Sequence, residues 1–502
     1  ILTLLFIFQR YGTKLVGKTF GPIMLVWFTM LAALGVNQIL QYPDVLKSLN
    51  PVYAYNLLSA YPGGFWLLSG VFLCTTGADA LYSDLGHTGR QNIQVSWIFV
   101  KIALVLNYLG QGAWLMSQPQ LDGRSPFYSV MPDWFLIPGI IIAACAAVIA
   151  SQALISGSFT LIAEAVRLNL WPKVRINYPS DQKGQLYVPS INWLLWLGCL
   201  VVVFIFQEST KMEAAYGLSI TLAMLMTTIL LSVYLLRKKV PSYLVIIFLT
   251  VYLIIELTFL TGNLAKIMHG GWFTIVLGSI LFSVMWAWSS ARKIKNRFVK
   301  FVDIEEYYPI IKDLSEDETV PKLASQLVYL TSANFRSEIE LKIMYSILQK
   351  QPKRADVYWL VHVDVMDEPY TNDYKVDFLI PGKLIRIDFK LGFRVEQRIN
   401  VLFRKVVEDL VKNKEVDITS KHPSLNKNHI VGDFRFVLLE KVLSRSNKLP
   451  FLERFIMNYY FILHKLSLSE EKGFGLDSSF VKIERVPLMV SVPENIILNR
   501  IK

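Results

Sequence analysis

The chain has 502 residues, 53% of them hydrophobic and 18% charged, with a formal net charge of +12. That balance excludes a wholly water-soluble globular protein, and three cysteines in so long a chain exclude a disulfide scaffold.

Apolar blocks of membrane-spanning length, roughly 17–25 residues each, fill the first 290 positions. In chain order they are Pro22–Leu40, Phe65–Leu81, Trp97–Trp114, Phe135–Gly157, Ile191–Phe206, Ala214–Leu236, Tyr243–Leu260 and Trp272–Trp288. Ile1–Phe8 reads as the end of a ninth span; an opening inside an apolar run, without Met or a leader, points to part of a longer protein. Basic residues gather in alternate loops: Arg10, Lys14 and Lys18; Arg90; Arg167, Lys173, Arg175 and Lys183; Arg237, Lys238 and Lys239; then Arg292, Lys293, Lys295, Arg297 and Lys300. Opposite loops hold only Lys47, Arg124, Lys211 and Lys266. Basic loops stay cytoplasmic, so eight crossings return the chain to the cytoplasm after Trp288. Much of the positive charge is therefore topological, and no nucleic-acid partner is needed to explain it. Cys74, Cys145 and Cys199 all fall within spans, as small apolar groups.

From about Phe301 charges become frequent and apolar runs shorten. Val328–Leu330, Val357–Val365, Leu384–Phe389 and Phe434–Leu439 read as strands, and Ser337–Gln351 and Val395–Asn413 as amphipathic helices. The expected organisation is a transmembrane transport domain over 1–290, a basic linker over 291–325 and a cytoplasmic α/β domain over 326–502. No Walker loop, GxGxxG or nucleophile motif occurs in the soluble part, which argues for a regulatory or structural role and against an enzyme; no cofactor is expected.

The most informative stretch is Leu73-Cys74-Thr75-Thr76-Gly77-Ala78-Asp79-Ala80-Leu81-Tyr82. It places hydroxyls, a glycine and a carboxylate in an apolar span, where a central Asp costs about 2.5–3.5 kcal/mol. Gly77 lets the backbone loosen, and the freed carbonyls with the Thr and Asp oxygens suit a hard cation in a broken helix. The plainer alternative is an Asp at the mouth of an ordinary helix with a packing glycine. Asp84 could relay protons between Asp79 and bulk water, against the simpler reading of a solvated interfacial acid. Asn107-Tyr108-Leu109-Gly110-Gln111-Gly112-Ala113 fits close helix packing with polar glue better than ligand contact. Tyr216, with Ser219 or Thr221, could line a pathway, although a Tyr near an interface is also an ordinary belt residue. Ser151-Gln152-Ala153 with Ser156 and Ser158 fits small-residue packing, and Lys101 snorkels.

Together these segments resemble the Kup/HAK/KT family of potassium uptake permeases. The resemblance is carried by Gly21–Phe28, Thr76–Gly86, Asn107–Ala113, Ala147–Ala153, Ala214–Gly217 and His269–Phe273, in order and spacing. It is looser at Phe389–Phe393 and Arg485–Pro487. It implies a polytopic α-helical protein of the amino acid–polyamine–organocation inverted-repeat fold, with twelve spans expected and about eight complete here. On that map the family's first-span and third-span Gly-Asp blocks are absent from this sequence. Asp79 stands where many members carry Glu, Leu222-Ala223 where a Gly-Thr pair is usual, and Met268 where Pro is common.

The implied activity is potassium uptake by secondary transport across the plasma membrane, with proton symport. Thr75, Thr76, Asp79 and Tyr216 are the expected potassium or proton site. The implied partners are potassium, protons and the bilayer, cyclic di-AMP at the cytoplasmic domain, and a second copy in a homodimer. The competing reading is an amino acid or polyamine carrier on the same fold.

Overall fold

A computed structural model describes residues 2–9, 14–61, 63–74, 76, 90–118, 125–177, 186–366, 368, 370–392, 395, 397–442, 449–476 and 479–487. It divides into two compact units, Ile1–Arg167 with Arg175–Ser283, and Leu168–Val174 with Val284–Lys502.

The first unit is helical. Its elements are α1 (Leu2–Phe8), α2 (Lys14–Gln41), α3 (Pro51–Ala60), α4 (Gly64–Cys74), α5 (Arg90–Ser117), α6 (Asp133–Arg167), α7 (Pro189–Phe206), α8 (Ser209–Arg237), α9 (Ser242–Leu264) and the first part of α10 (Trp272–Arg297), up to Ser283. Seven of these, α2 and α5 to α10, are long and apolar enough to cross a membrane. The eighth expected span, Phe65–Leu81, differs: α4 stops at Cys74 and Thr76 lies outside it. Residues 75 and 77–89 lie outside the described residues, and with them Thr75, Asp79 and Asp84.

Helix approach here is set by glycine, as expected for Gly110. A Cβ on Gly110 would lie 2.4 Å from the Gly35 Cα, and one on Gly35 would lie 2.3 Å from the Leu106 carbonyl oxygen, so α2 and α5 touch backbone to backbone. The hydroxyls of Ser151 and Ser158 bond carbonyls of their own helix, and Ser156 accepts from Gln9, which agrees with packing rather than binding. The Lys101 ammonium lies over the Trp97 ring at 5.3 Å.

The second unit is built on a six-stranded sheet, β2 (Lys322–Leu330), β4 (Arg354–Met366), β5 (Asn372–Ile380), β6 (Leu384–Gly392), β7 (Phe434–Val442) and β8 (Val481–Pro487), in the order β5-β6-β4-β2-β7-β8. Only β5 is antiparallel, joined to β6 by a turn with Gly382 at φ +67°. A small ribbon of β1 (Phe301–Asp303) and β3 (Glu338–Glu340) lies apart from it. Both sheet faces are covered. On one, α13 (Ile399–Lys412) buries Phe403, Val406 and Leu410 against Trp359, Ile387 and Phe436. On the other, α11 (Tyr308–Glu316) and α12 (Leu341–Tyr345, continued by a π turn to Lys350) bury Ile311, Ile343 and Ile347 against Leu327, Tyr329 and Tyr358. A last helix, α14 (Phe451–Leu466), packs against the end of α10.

The four expected strands are present and longer than anticipated, and the helix expected over Val395–Asn413 is α13. Ser337–Gln351 is not one helix: Glu338–Glu340 pairs with β1 before α12 begins. Residues 291–325 hold the end of α10, β1 and α11.

The buried ionic centre of this unit is Lys353 with Glu484, whose Nζ and Oε2 lie 3.4 Å apart. Glu484 also accepts from Ser346 at 2.7 Å and pairs with Lys482 at 3.1 Å. Burial pushes the Lys353 ammonium below its ordinary pKa, against the pull of Glu484. Burial also works to raise the Glu484 carboxyl, but Ser346, Lys482 and Lys353 together hold it below its usual value.

Candidate functional site

α4 is half the length a membrane needs. Its eleven residues rise about 16 Å, against a hydrocarbon core of about 30 Å. The last carbonyls of any helix lack intrahelical partners and form the negative pole of its dipole. Here hydroxyls answer them: Tyr108 of α5 donates to the Cys74 carbonyl at 2.8 Å, and Thr76 donates to the Leu73 carbonyl at 2.8 Å. Each carbonyl keeps a second lone pair. Thr76 and the end of α4 are therefore at one place, joined there by Tyr108, which the sequence reading had set among packing residues; the break expected at Gly77 lies outside the described residues.

Two helices stand beside this end. A Cβ on Gly217 of α8 would meet the Asn263 Oδ1 at 2.7 Å and the Leu73 Cδ2 at 3.6 Å, so the missing side chain makes room for α9 and for α4. Thr221, one turn on, donates to the Gly217 carbonyl at 2.7 Å and accepts from the Asn263 amide at 2.9 Å. Both are fully enclosed, Thr221 at 0% and Asn263 at 2% exposure. The Thr221 hydroxyl thus ties helices together and is already engaged.

Tyr216 lies elsewhere. Its side chain is 49% exposed and lines a cavity of about 490 Å³ with Phe206, Ala215, Ser219, Phe273 and Thr274. Ser219 and Thr274 contact each other at 2.9 Å, and each donates to the Ala215 carbonyl. The cavity draws on α7, α8 and α10, whereas Gly217, the next residue, is the one directed at α4.

One acid was missed. Glu256 sits within α9, 3% exposed, accepting from Thr228 of α8 at 2.6 Å through Oε1. Its Oε2 is buried with no hydrogen-bond partner among the described residues. Glu256 and Asn263 are seven apart on α9, as Thr228 and Thr221 are on α8, so the two pairs form successive polar rungs between antiparallel helices. The available signal was a single carboxylate inside an otherwise apolar span. Among the described residues no cluster of three His, Cys, Asp or Glu could hold a metal ion.

Two family models match the chain: the K+ potassium transporter integral membrane domain over residues 1–293, and the K+ potassium transporter C-terminal domain over residues 324–492. The chain is 56% identical to the probable potassium transport system protein Kup of Cytophaga hutchinsonii, over 100% of its own length and 78% of that relative. It is 56% identical to the protein of that name from Flavobacterium johnsoniae, over 100% and 77%, and 54% identical to that from Flavobacterium psychrophilum, over 100% and 78%. No solved structure matches.

Proposed function

The chain belongs to the K+ potassium transporter family, and from that premise we propose that it couples potassium entry to proton entry through a site at the end of α4. Potassium uptake across the plasma membrane is its activity; it is a multi-pass carrier and not an enzyme. The finer statements that follow, on site, coupling and regulation, are our reading.

The observation that carries it is the end of α4 among hydroxyls. Potassium must exchange its water shell for several oxygens, and a cage of carbonyls and hydroxyls at the negative pole of a short helix supplies them. The Leu73 and Cys74 carbonyls, Thr75 and Thr76 would be the neutral ligands, and Asp79 the charge, while Tyr216 would line the ion's pathway from its own cavity between α7, α8 and α10. Asp84 would pass protons towards the cytoplasm. Glu256 joins the assignment as a second carboxyl within the spans, because one of its oxygens is enclosed without a partner among the described residues. Coupling matters because one charge crossing 100 mV is worth about 2.3 kcal/mol. The resemblance also supports twelve spans in the amino acid–polyamine–organocation arrangement, and a homodimer.

Cyclic di-AMP at the cytoplasmic domain is the regulatory part of the proposal, and the sheet constrains it. The order β6-β4-β2-β7-β8 reverses beside β2, where open parallel sheets of this kind seat nucleotides at the strand ends. The loop that follows β2 is tied down from within the domain. Glu340 accepts from the Ser332 N–H at 3.0 Å and from its hydroxyl, while Arg386 donates to the Phe335 and Ala333 carbonyls. A phosphate beside the loop after β2 would face the Glu340 carboxylate, which supports another surface for the nucleotide.

The test is radioactive rubidium uptake into proteoliposomes with and without an inward proton gradient. Gradient-stimulated uptake, competed by potassium and not by amino acids, is expected. Asp79→Asn should abolish accumulation with the protein still folded, and Tyr216→Phe should weaken apparent affinity. Normal accumulation by Asp79→Asn would remove that residue from the mechanism.

A further inference from the structure

We propose that the junction of α1, α6 and α7 seats a potassium ion other than the transported one, held by the side-chain oxygens of Gln9, Gln152 and Asn192. Hydrogen bonds bring these amides to one place. Asn192 of α7 donates to the Phe6 carbonyl of α1 at 3.1 Å, and Gln9, which follows α1, donates to the Ser156 hydroxyl of α6 at 3.5 Å. A helical carbonyl points towards the residue four positions on, so the Phe6 oxygen lies at the level of Gln9. Gln152 precedes Ser156 by one turn on the same face of α6. The Trp196 indole donates to the Thr3 hydroxyl at 3.3 Å, which makes α1 and α7 antiparallel neighbours.

The amide nitrogens of Gln9 and Asn192 pack the helices, and the oxygens are left over. Gln9 Oε1, Gln152 Oε1 and Asn192 Oδ1 are enclosed with no hydrogen-bond partner among the described residues. Gln9 is 5% exposed and Asn192 0%. Among the described residues of this unit the only other such atom is Glu256 Oε2, so three of the four gather here. Proteins rarely strand even one buried oxygen, and three at one junction point to a ligand.

The chemistry of the leftover groups selects that ligand. All three are acceptors, which disfavours an anion. A single water has two hydrogens and cannot serve three oxygens at once. No carboxylate stands among them, as a divalent cation would require. A monovalent cation ringed by neutral carbonyl oxygens remains, and such oxygens replace the water shell of potassium in selectivity filters. The negative end of α1 and the positive end of α7 face the same place and offset each other, so the sign rests on the oxygens. This junction shares no helix with the end of α4 or with α5, α8 and α9 around it. The Tyr216 cavity meets α7 only from Val202 onward, about 15 Å beyond Asn192 along the helix. An ion here would fasten three helices together without travelling.

The test is equilibrium dialysis of radioactive rubidium against the purified full chain in detergent, with choline chloride holding the ionic strength constant. Gln152→Leu is the decisive variant, because the Gln152 oxygen has no hydrogen bond to lose among the described residues. It should unfold no earlier than the parent in choline chloride, yet bind one rubidium ion fewer per chain, an ion that potassium displaces from the parent. Potassium should raise the parent's thermal midpoint saturably, and Gln152→Leu should raise the half-saturating concentration of that response about tenfold. Gln152→Glu, which puts a charged oxygen in the same place, should lower it about tenfold. The difference of one ion should persist in an Asp79→Asn background, so a failure of the transport-site reading leaves this count intact. Equal rubidium counts in the parent and Gln152→Leu would overturn the proposal. So would a Gln152→Glu protein whose potassium response matches the parent's, a result that stands even if Gln152→Leu does not fold.

Discussion

The two units of this protein bury opposite kinds of side chain. In the cytoplasmic sheet Trp359, Tyr358 and Ile387 are fully enclosed, and the charged residues lie mostly outside. In the membrane unit Trp134, Leu161, Phe204 and Leu230 face outward, while Asn192, Thr221, Glu256 and Asn263 are enclosed. Water drives apolar groups inward in the first case; lipid offers no such drive in the second, and helices meet through close backbones and hydrogen bonds instead. Hydrophobicity therefore reports burial in one unit and exposure in the other. In the spans, the rare polar residue is the inward marker.

The comparison breaks most severely where the backbones touch. Gly110→Val would force a Cβ to within 2.4 Å of the Gly35 Cα, with no flexible side chain to yield. The expected result is loss of monodisperse folded protein on size-exclusion chromatography. A well-folded variant with normal uptake would show that α2 and α5 are free to separate. In the soluble unit the corresponding weak point is ionic. Arg386, 1% exposed, holds Asp388 at 2.9 Å and two loop carbonyls, so Arg386→Leu strands all three and should cost about 3–5 kcal/mol. Thermal unfolding of the full chain, followed by hydrogen exchange across β2 to β6, measures it. Rubidium affinity unchanged at low temperature would confirm that the loss is confined to the cytoplasmic unit.

A smaller effect is expected at Glu256, and it tests function more than stability. Glu256→Gln retains the Thr228 hydrogen bond but cannot exchange a proton. Stimulation of uptake by a proton gradient should fall about tenfold, equivalent to 1.4 kcal/mol, while rubidium exchange without a gradient persists. Equal stimulation in both proteins would return Glu256 to helix packing.

How much of this was legible beforehand follows from the same contrast. Span existence was plain, because lipid demands long apolar runs whatever their packing. The strands rich in Val, Ile and aromatics were legible too. β5 and β8 were not: Asp373 and Lys375, and Lys482 and Arg485, break the apolar run of these edge strands with charge. Glu338–Glu340 was absorbed into a helix because its strand is fixed by pairing with β1 and by Glu340 reaching Ser332, neither of which is a local signal. Of the candidate site, Thr76 was proposed from its neighbours and Glu256 stood in the sequence as a lone carboxylate, but Tyr108 and the anchor of Glu256 needed partners, Cys74 and Thr228, that lie 34 and 28 positions away.

The smallest effect offers the sharpest comparison, because the same chemical change can be made in both solvents. Thr221→Val removes one hydroxyl at nearly constant shape, releasing the Gly217 carbonyl and the Asn263 amide. Gln326→Leu removes the oxygen that accepts from the Trp359 indole at 2.7 Å in the sheet core, leaving that N–H enclosed. An enclosed, abandoned donor in a water-soluble core costs about 1–3 kcal/mol, because the unfolded chain gives it back to water. In a membrane the separated helices have no water to offer and find other partners, so an intramembrane bond averages only about 0.6 kcal/mol. Local hydrogen-exchange free energies at α8 and at β4 should therefore change unequally, with the smaller shift in the membrane. Equal shifts would mean that the Thr221–Asn263 rung is reached by water when α8 and α9 part, as it would be if the space beside the end of α4 were an aqueous ion path.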